Sequence, residues 1–469
     1  MRTENDIFGS VQLLDKLLYG IHTYRAIHNF PSSGERINPH LIKAYLQVKL
    51  AAAETNYKVG LLQLNKYKFI VEAIDRLIDE TNDAIEGKSL LIYDKIVVDP
   101  YQGGAGTSLN MNINEVIANT AIALSGRNYG EYYFIHPIDD VNLSQSTNDT
   151  FPTAFKIASI NLLRELTDAF AFLQIELQKK EKEFSGVIKL ARTQLQDAVP
   201  ISLGQEFGAF AQAIARDRWR LYNGEERLRS VNLGGTAVGN SINAHRDYVL
   251  NVCSELKKIT GLPIAKSEDL IDSTQNIDVF VEAHGLVKAG ATSLIKICND
   301  LRLLSSGPLG GIGEIILPEM QAGSSIMPGK VNPVILENTI QIAELVKGHD
   351  IVITNLVGSG NLELNAFLPA ISHLFLKSLT LMKVALYNLT EKCIKGIKAN
   401  KVRCRENLLR SSALAAILVN EFGYDKISEW VKEAYKNNVA FISFLKEKNL
   451  IDEQKLSEII NREIGVNIE

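Results

Sequence analysis

Apolar residues recur at steps of three and four along most of the chain, the spacing that places side chains on one face of an α-helix. The clearest stripe begins after residue 151 and consists of Phe155, Ala158, Leu162, Leu166, Phe170, Leu173 and Leu177. The same period predicts helices at 40–88, 205–228, 278–305, 334–356 and 367–398. Since these stretches far exceed the average helix of about a dozen residues, the pattern predicts a mainly α protein built around a long-helix bundle.

The pattern also divides the chain along its length. Polar, glycine-rich segments are frequent before residue 149, whereas long apolar stripes dominate the middle of the chain. After about residue 402 the periodic segments become short and rich in charge. We therefore expect three domains: a mostly helical N-terminal domain at 1–148, a central long-helix bundle at 149–402 and a small helical C-terminal domain at 403–469.

Composition narrows the classes of partner. Of the 469 residues, 46% are hydrophobic and 22% are charged, which is ordinary for a globular protein. The net charge of −4 predicts no attraction to nucleic acid or to an acidic membrane. No apolar run is long enough to cross a bilayer, and MRTENDIFGS lacks the basic and then apolar order of a secretory signal. The four cysteines form no C-x-x-C pair, so free thiols in a reducing cytoplasm are expected.

One stretch, 321–333, has few apolar residues and many side chains that can form hydrogen bonds. It reads QAGSSIMPGKVNP, and its two glycines and Pro328 exclude a regular helix. The pattern predicts a glycine-hinged loop that ends where a helix begins near Pro333. Its spacing fits neither a phosphate-binding P-loop nor a Gly-x-Ser-x-Gly nucleophile turn. From these residues alone, an ordinary surface loop and a functional site both remain open.

Four other segments stand out as candidate loops or turns, two of them polar and two of them rich in glycine. They read YQGGAGTSLNMNINEVIAN at 101–119, HPIDDVNLSQSTND at 136–149, TQLQDAVP at 193–200 and LGGTAVG at 233–239. The first fails the Gly-x-Gly-x-x-Gly pattern because Leu109 takes the place of the third glycine. The second precedes Pro152 and the longest apolar stripe, which is typical of a helix N-terminus, where free backbone N–H groups can bind a carboxylate. The last is expected to be a structural turn.

The 323–332 segment, GSSIMPGKVN, fits the signature Gly-Ser-Ser-x-Met-Pro-x-Lys-x-Asn throughout. The chain resembles the aspartase/fumarase superfamily here and at the segments above, so the resemblance covers nearly its whole length. It implies a three-domain lyase whose central helices assemble into a tetrameric helical core. It also implies a homotetramer in which three chains contribute to each active site.

The resemblance implies roles for individual residues. It assigns the catalytic base to Ser324, the first serine of the loop. The residues that it implies for binding the substrate are Thr107, Ser146, Thr147, Asn148, Thr193, Gln194, Ser325, Lys330 and Asn332. Hydroxyl and backbone donors suit a carboxylate that carries extra charge, and Lys330 with Asn332 suits the other carboxylate. The substrate expected from such a set is an amino dicarboxylic acid.

Two positions favour an aspartase over a fumarase. Fumarases tend to have a serine two residues before the threonine of the first segment, where this chain has Ala105. At the position of Gln194 they usually have histidine. A glutamine side chain, unlike histidine, cannot change its protonation near neutral pH. The implied reaction is the reversible elimination of ammonia from L-aspartate to give fumarate. No metal-ligand cluster, flavin motif or pyridoxal-lysine context is present in the sequence, so no cofactor or metal is expected.

Two segments depart from the family pattern and leave alternatives open. Where the family usually has Glu-Ala-Gly-Gln-Leu-x-Leu-Asn-Val-Met-Glu-Pro, this chain has GSGNLELNAFLP at 358–369. Where Leu-Asn-Pro-x-Ile-Gly-Tyr is usual, it has LVNEFGYD at 418–425. A related carbon–nitrogen lyase acting on another amino acid or amine therefore stays as an alternative. A fumarase and a catalytically inactive structural or binding homologue are the others.

Overall fold

The computed structural model describes residues 1–30 and 32–464. The last five residues of the predicted C-terminal domain, 465–469, lie outside this described part. The α-helices are α1 Ile21–Asn29, α2 Pro39–Lys58, α3 Leu64–Ile85, α4 Thr107–Leu124, α5 Thr147–Glu183, α6 Leu203–Arg227, α7 Arg246–Thr260, α8 Asp272–Gln275, α9 Val279–Leu304, α10 Val334–Val357, α11 Leu368–Lys392, α12 Lys401–Arg410, α13 Ala415–Phe422, α14 Tyr424–Lys436, α15 Phe441–Glu447 and α16 Glu453–Ile464. The prediction of a mainly α protein is confirmed.

Short strands pair into two-stranded sheets. They are β1 Arg2–Asp6, β2 Gly9–Leu13, β3 Ile188–Thr193, β4 Gln196–Ser202, β5 Ser230–Val231, β6 Ala265–Lys266, β7 Ile315–Ile316 and β8 Lys398–Ala399. The pairs β1–β2, β3–β4 and β7–β8 are antiparallel, and β5–β6 is parallel. The β3–β4 hairpin runs from Ile188 opposite Ser202 to Thr193 opposite Gln196. The helical periodicity gave no sign of this hairpin.

The long helices lie where the apolar stripes predict them. α6, α9 and α10 begin and end within two residues of the predicted bounds, and α10 starts directly after Pro333. The stretch at 40–88 forms two helices, because the chain turns at 59–63 with Gly60 in the left-handed region at φ +80°. Gly87 takes the same conformation just beyond α3, at φ +73°. A left-handed glycine after the last turn is the common way for a helix to end.

The chain forms two compact units. The first comprises 1–167, 220–288 and 345–381. Its core includes three packed phenylalanines from α5, α9 and α11: the rings of Phe155 and Phe280 stack with centroids 4.0 Å apart, and Phe375 meets Phe155 edge-on. All three side chains are fully buried. Such offset and edge-to-face pairs stabilise a core beyond the area that they bury.

The second unit comprises 168–219, 289–344 and 382–469. Its C-terminal helices bury an apolar cluster that includes Leu408, Leu414, Leu418, Trp430, Phe441, Leu445 and Leu456. Leu190 of β3 belongs to this cluster, and β3 packs against α12. The hairpin is therefore fastened to the C-terminal helices by burial of apolar surface. The division into three domains at residues 148 and 402 stays a prediction.

All four cysteines are free and buried. Within residues 1–30 and 32–464, no helix combines the length and the apolar character needed to cross a bilayer.

Candidate active site

The N-terminus of α5 is closed by a reciprocal pair of hydrogen bonds. The Asn148 N–H donates to Ser146 Oγ at 3.2 Å, and the Ser146 N–H donates to Asp149 Oδ1 at 3.0 Å. This is the capping-box arrangement, here with aspartate in the place of the usual glutamate. It sets the orientation of residues 146–148, the predicted carboxylate-binding segment, at the positive end of a helix of 37 residues.

Asp149 fastens this helix end to the glycine-rich turn at 233–239. Its Oδ2 accepts the backbone N–H groups of Gly234 at 3.1 Å and Thr236 at 3.0 Å, and the carboxylate is fully buried. Burial raises the pKa of Asp149 to about 7, although its three backbone hydrogen bonds and the nearby Lys49 oppose the rise. The turn that was expected to be structural thus holds the candidate substrate segment in place.

Asn148 has a second attachment to the same turn. Its Nδ2 donates to the carbonyl of Ala237 at 2.7 Å, which fixes the orientation of the amide. The backbone carbonyl of Asn148 would ordinarily accept the backbone N–H of the residue four positions later, but that residue is Pro152, which has no N–H. Asn232 Nδ2 donates to that carbonyl at 3.0 Å instead. The proline inside α5 therefore leaves an acceptor that a side chain from outside the helix satisfies.

A buried lysine that sequence reasoning missed lies behind this segment. Lys49, in the middle of α2, donates to Asn142 Oδ1 and to Gln145 Oε1, both at 2.9 Å. Burial lowers the pKa of Lys49 to about 7. Asn110 of α4 continues the network by donating to Asn142 Oδ1 at 3.2 Å and to Thr147 Oγ1 at 3.0 Å. The available signal was a single lysine within an otherwise apolar stretch of α2.

Thr107 is the first residue of α4, and the chain before it is unusually tight. Ala105 and Gly106 both have positive φ, at +57° and +98°. A Cβ on Gly106 would lie 2.2 Å from the ring of Phe151, so only glycine allows α4 and α5 to approach as they do. Thr107 Oγ1 donates to the Gly104 carbonyl at 2.7 Å and is exposed. Gly106 thus allows the N-terminus of α4 to lie against the first turns of α5.

A cavity of about 740 Å³ lies in the first unit beside Ser108, the residue after Thr107. Arg25 lines it and is held by Asp6 through two hydrogen bonds of 2.6 and 2.7 Å. Tyr132 lines it as well. The cavity is therefore amphipathic and carries a fixed guanidinium.

Thr193 and Gln194 lie at the tip of the β3–β4 hairpin. Thr193 is the last residue of β3, and the two-residue turn consists of Gln194 and Leu195 at φ +55° and +63°. Such turns strongly favour Asn-Gly, because most other side chains clash in the left-handed region. Gln194 is thus held in a costly conformation, a common property of functional residues. Both predicted site residues are exposed.

The loop at 321–333 is closed on itself. The Gly323 N–H donates to the Lys330 carbonyl at 2.8 Å, and Asn332 Nδ2 donates to the Gly323 carbonyl at 2.7 Å. A Cβ on Gly323 would meet the Lys330 carbonyl oxygen at 2.6 Å, so this position requires glycine. The two bonds bring the serine end of the loop against its lysine and asparagine end.

Inside this closed loop, the hydroxyl oxygen of Ser324 accepts two backbone N–H groups. They come from Ile326 at 3.1 Å and Met327 at 2.9 Å. Two donors on one oxygen favour a form of that oxygen with more negative charge. Ser325 and Lys330 are exposed, and Ile326 between them has 84% of its surface accessible.

The predicted site residues are divided between the two units. Thr107, Ser146, Thr147 and Asn148 belong to the first unit, where Asn110 links α4 to Thr147. Thr193, Gln194, Ser324, Ser325, Lys330 and Asn332 belong to the second. Among the residues that the structure describes, no group of three or more His, Cys, Asp or Glu side chains is arranged to hold a metal ion.

Known proteins resemble this chain over its whole length. A family model described as lyase matches residues 11–348. Aspartate ammonia-lyase from a Bacillus species is 43% identical, over 98% of this chain and 96% of that protein. The enzyme of the same name from Helicobacter pylori is 42% identical, over 99% and 97%.

Solved structures agree with these sequence matches. The cobalt-bound crystal structure described as fumarate lyase:delta crystallin from Brucella melitensis has a TM-score of 0.93 and 44% identity, covering 98% of both chains. A class II fumarase from Schistosoma mansoni has a TM-score of 0.88 and 28% identity, again covering 98% of both chains. The chain belongs to the lyase family and, with it, to the aspartase/fumarase superfamily. Within that superfamily, it is a carbon–nitrogen lyase.

Proposed function

We propose that this protein reversibly eliminates ammonia from L-aspartate to give fumarate. The full-length similarity to two proteins named aspartate ammonia-lyase supports the substrate. The observation that carries the mechanism is the pair of backbone N–H groups on Ser324 Oγ. They make this hydroxyl the best-prepared candidate base in the 321–333 loop.

In the proposed reaction, the Ser324 alkoxide removes a proton from the carbon next to the carboxylate distal to the amino group. The electron pair moves into that carboxylate, which becomes a doubly charged aci-carboxylate. When the pair returns, a double bond forms between the two central carbons, the C–N bond breaks and ammonia leaves. Several fixed donors must surround the aci-carboxylate in a water-poor site. The proposed donors are Thr107, Ser146, Thr147, Thr193 and the backbone of Ser325.

The remaining groups hold the other end of the substrate. We assign the second carboxylate to Lys330 and Asn332, which supply a cation and an amide two residues apart. Asn148 and Gln194 offer amide oxygens that accept from the substrate ammonium. The bond from Asn148 Nδ2 to the Ala237 carbonyl supports its part in this assignment, because it fixes the side-chain amide before any substrate arrives.

A homotetramer with sites shared among chains is part of the proposal. Thr107, Thr193, Gln194 and Lys330 are all exposed in the single chain, whereas the reaction needs donors shielded from water. Two inactive variants, Thr193→Ala and Ser324→Ala, should therefore rescue each other when the chains are mixed unfolded and refolded together. Persistent inactivity of the mixed tetramers, or a monomer by light scattering, would contradict shared sites.

The substrate itself is tested by comparing L-aspartate with L-malate at matched concentration. An ammonium needs only acceptors to leave as ammonia, whereas the hydroxyl of malate leaves poorly unless it is protonated. Since Gln194 cannot supply a proton, we expect discrimination on the order of 10⁴ in rate in favour of aspartate. The readout is the appearance of fumarate by its ultraviolet absorbance. Faster conversion of malate would overturn the proposal in favour of fumarase.

A different amine substrate is the second candidate. It is favoured by the departure of the segment at 358–369 from the family pattern. Asn365 in this segment is buried, and its Nδ2 donates to the carbonyls of Leu356 and Val357, at the end of α10, at 3.0 Å each. Leu362 at the tip has φ +52° and 84% of its surface exposed. Inertness to both aspartate and malate, with the fold intact, would move the assignment to another amino acid, to be found with a substrate panel.

A further inference from the structure

The second unit contains a cluster of charged side chains, two of them buried and two half-buried, that the proposed mechanism does not use. Glu314 lies at its centre with none of its surface exposed. Arg192 donates to it twice, from Nη2 to Oε1 at 3.0 Å and from Nη1 to Oε2 at 3.1 Å. Lys189 Nζ lies 3.1 Å from Oε2 and 3.2 Å from Glu206 Oε2. Two cations thus balance two carboxylates, the condition under which charges can remain buried.

The cluster acts directly on the hairpin that carries Thr193 and Gln194. Arg192 immediately precedes Thr193, and the β3–β4 register shifts between Leu190 and Arg192. Arg192 Nη1 also donates to the Leu190 carbonyl at 3.3 Å, which spans this irregularity. A hairpin with a shifted register and two left-handed residues in its turn is strained, and the surrounding contacts must hold it.

The backbone of Glu314 holds a different segment. Its N–H donates to the Leu304 carbonyl at the end of α9, and its carbonyl accepts the Asn400 N–H, both at 2.9 Å. The next two residues form β7, which pairs with β8. The segment that runs on to Ser324 therefore starts from a fixed point. Asn407 of α12 adds a fourth donor to the carboxylate at 3.0 Å.

We propose that Glu314 is a positioning residue for the active site. Its carboxylate sets the hairpin that carries Thr193 and Gln194, and its backbone sets the start of the segment that carries Ser324. One buried residue thereby fixes two of the segments that must be aligned for catalysis. The catalytic part of this inference rests on the proposed function.

The test is Glu314→Gln in the full-length protein, with kcat and KM measured for L-aspartate. The glutamine amide keeps the shape of the side chain but loses its charge. It also presents N–H groups to the guanidinium, so Arg192 can no longer donate two hydrogen bonds to this side chain. Displacement of reacting groups by about 1 Å costs about 10²-fold in rate, and we expect kcat to fall by about this factor while KM changes less. Arg192→Gln should give a similar loss, and the double variant should lose no more than about threefold beyond the worse single variant.

Glu225→Gln is the matched control. Glu225 is also buried and also binds an arginine through two bonds, from Arg164 Nε and Nη2 at 2.8 Å each. It carries none of the proposed chemistry. We expect Glu225→Gln to lower Tm with kcat within about twofold of wild type, because it removes an ion pair without moving a site segment. An equal loss of kcat in both variants, or unchanged kcat in Glu314→Gln, would overturn the proposal.

Hydrogen exchange separates this inference from the proposed function. If Glu314 positions the hairpin, amides in 188–202 should exchange at least about tenfold faster in Glu314→Gln than in wild type, and no faster in Glu225→Gln. A wild-type protein inert to L-aspartate would refute the proposed function and leave this measurement valid. Unchanged exchange in the hairpin would overturn the positioning role whatever the substrate.

Arg192→Lys covers the case in which Glu314→Gln does not fold. Lysine keeps the charge in the cluster but loses the two-pronged geometry. We expect an intermediate loss of kcat, about tenfold, with Tm close to that of wild type. Wild-type kcat together with wild-type hairpin exchange in this variant would contradict a positioning role.

Discussion

The N-terminus of α5 and the loop at 321–333 carry similar polar side chains but are fastened in opposite ways. Around residues 146–149, buried groups from α2, α4 and the 233–239 turn supply the hydrogen bonds. In the loop, the N–H and carbonyl of Gly323, the hydroxyl of Ser324 and the side-chain amide of Asn332 bond to other residues of the loop. One region is held by the core of its unit, and the other holds itself.

This difference suits the two tasks in the proposed reaction. A site that binds a carboxylate gains from groups that are oriented before the substrate arrives. A loop that carries the base must admit the substrate and then exclude water, which requires a segment able to rearrange without disturbing a core. Changes at the helix end should therefore cost both stability and activity, whereas changes in the loop should cost activity alone.

Ser324→Ala should lower kcat by about 10³-fold, because it removes the proposed base and leaves the loop backbone intact. Tm and the oligomeric state should not change, since the described bonds of Ser324 Oγ lie within the loop. Steady-state kinetics with thermal unfolding checks both statements. Ser305→Ala is the control for removal of a hydroxyl elsewhere in the second unit. Near-normal turnover by the Ser324 variant would exclude this serine as the base.

Asp149→Asn should lower the free energy of unfolding by about 3 kcal/mol and also reduce activity. The amide keeps one acceptor oxygen but directs N–H groups toward backbone donors that the carboxylate now accepts. Urea unfolding at fixed protein concentration gives the value. Asp79→Asn, on the exposed face of α3, should stay within about 0.5 kcal/mol of wild type. A stable but inactive Asp149 variant would break the contrast between the two regions.

Gly323→Ala should reduce kcat/KM by about 30-fold, or about 2 kcal/mol, with little change in Tm. The added Cβ would lie 2.6 Å from the Lys330 carbonyl oxygen, so the two ends of the loop must separate. Gly186→Ala, where a Cβ would meet no atom within 4 Å, is the control. If the variant lost stability as well as activity, seen as a clear fall in Tm, the contrast between the loop and the helix end would be wrong.

The smallest effect concerns pH and the buried Lys49. The pKa of Lys49 is about 7 in the folded chain. In the unfolded chain, we expect its pKa to be that of an unperturbed lysine, about 10.4. Between these values the unfolded chain binds more protons, so this group makes the free energy of unfolding rise with pH, by at most about 1.4 kcal/mol per pH unit. Lys49→Met should remove that rise between pH 7 and pH 9, whereas Lys68→Met should retain it. Equal slopes in both variants would contradict burial of a neutral amine.

The long helices were predictable because their apolar stripes are local. Residues such as Phe155 and Leu166 repeat on one face of α5, and the structure buries them. The loop at 321–333 was predictable for the complementary reason, since Gly323, Pro328 and Gly329 exclude a helix within a few residues. The residues of the signature itself were found by resemblance, and their roles stay predictions.

What escaped prediction depends on partners far along the chain. Lys49 meets Asn142, 93 residues away, and Arg192 meets Glu314, 122 residues away. No local pattern marks such a pair. The β3–β4 hairpin was missed because its turn, Gln194-Leu195, lacks the Asn-Gly signal that usually announces a hairpin. In the structure, Leu190 packs against the C-terminal helices and Glu314 accepts hydrogen bonds from Arg192.

The burial of all four cysteines has a practical consequence for observing the loop. Burial raises the pKa of Cys253, Cys393 and Cys404 to about 12, and that of Cys298 well above its ordinary value. At neutral pH a thiol with that pKa is ionised on the order of once in 10⁵ molecules, and only the thiolate reacts with maleimides. The four native cysteines should therefore react very slowly with a thiol label. A single cysteine at the exposed position of Ile326 would carry a fluorophore near Ser324 and test whether the loop moves when substrate binds, without removal of any native residue from the core.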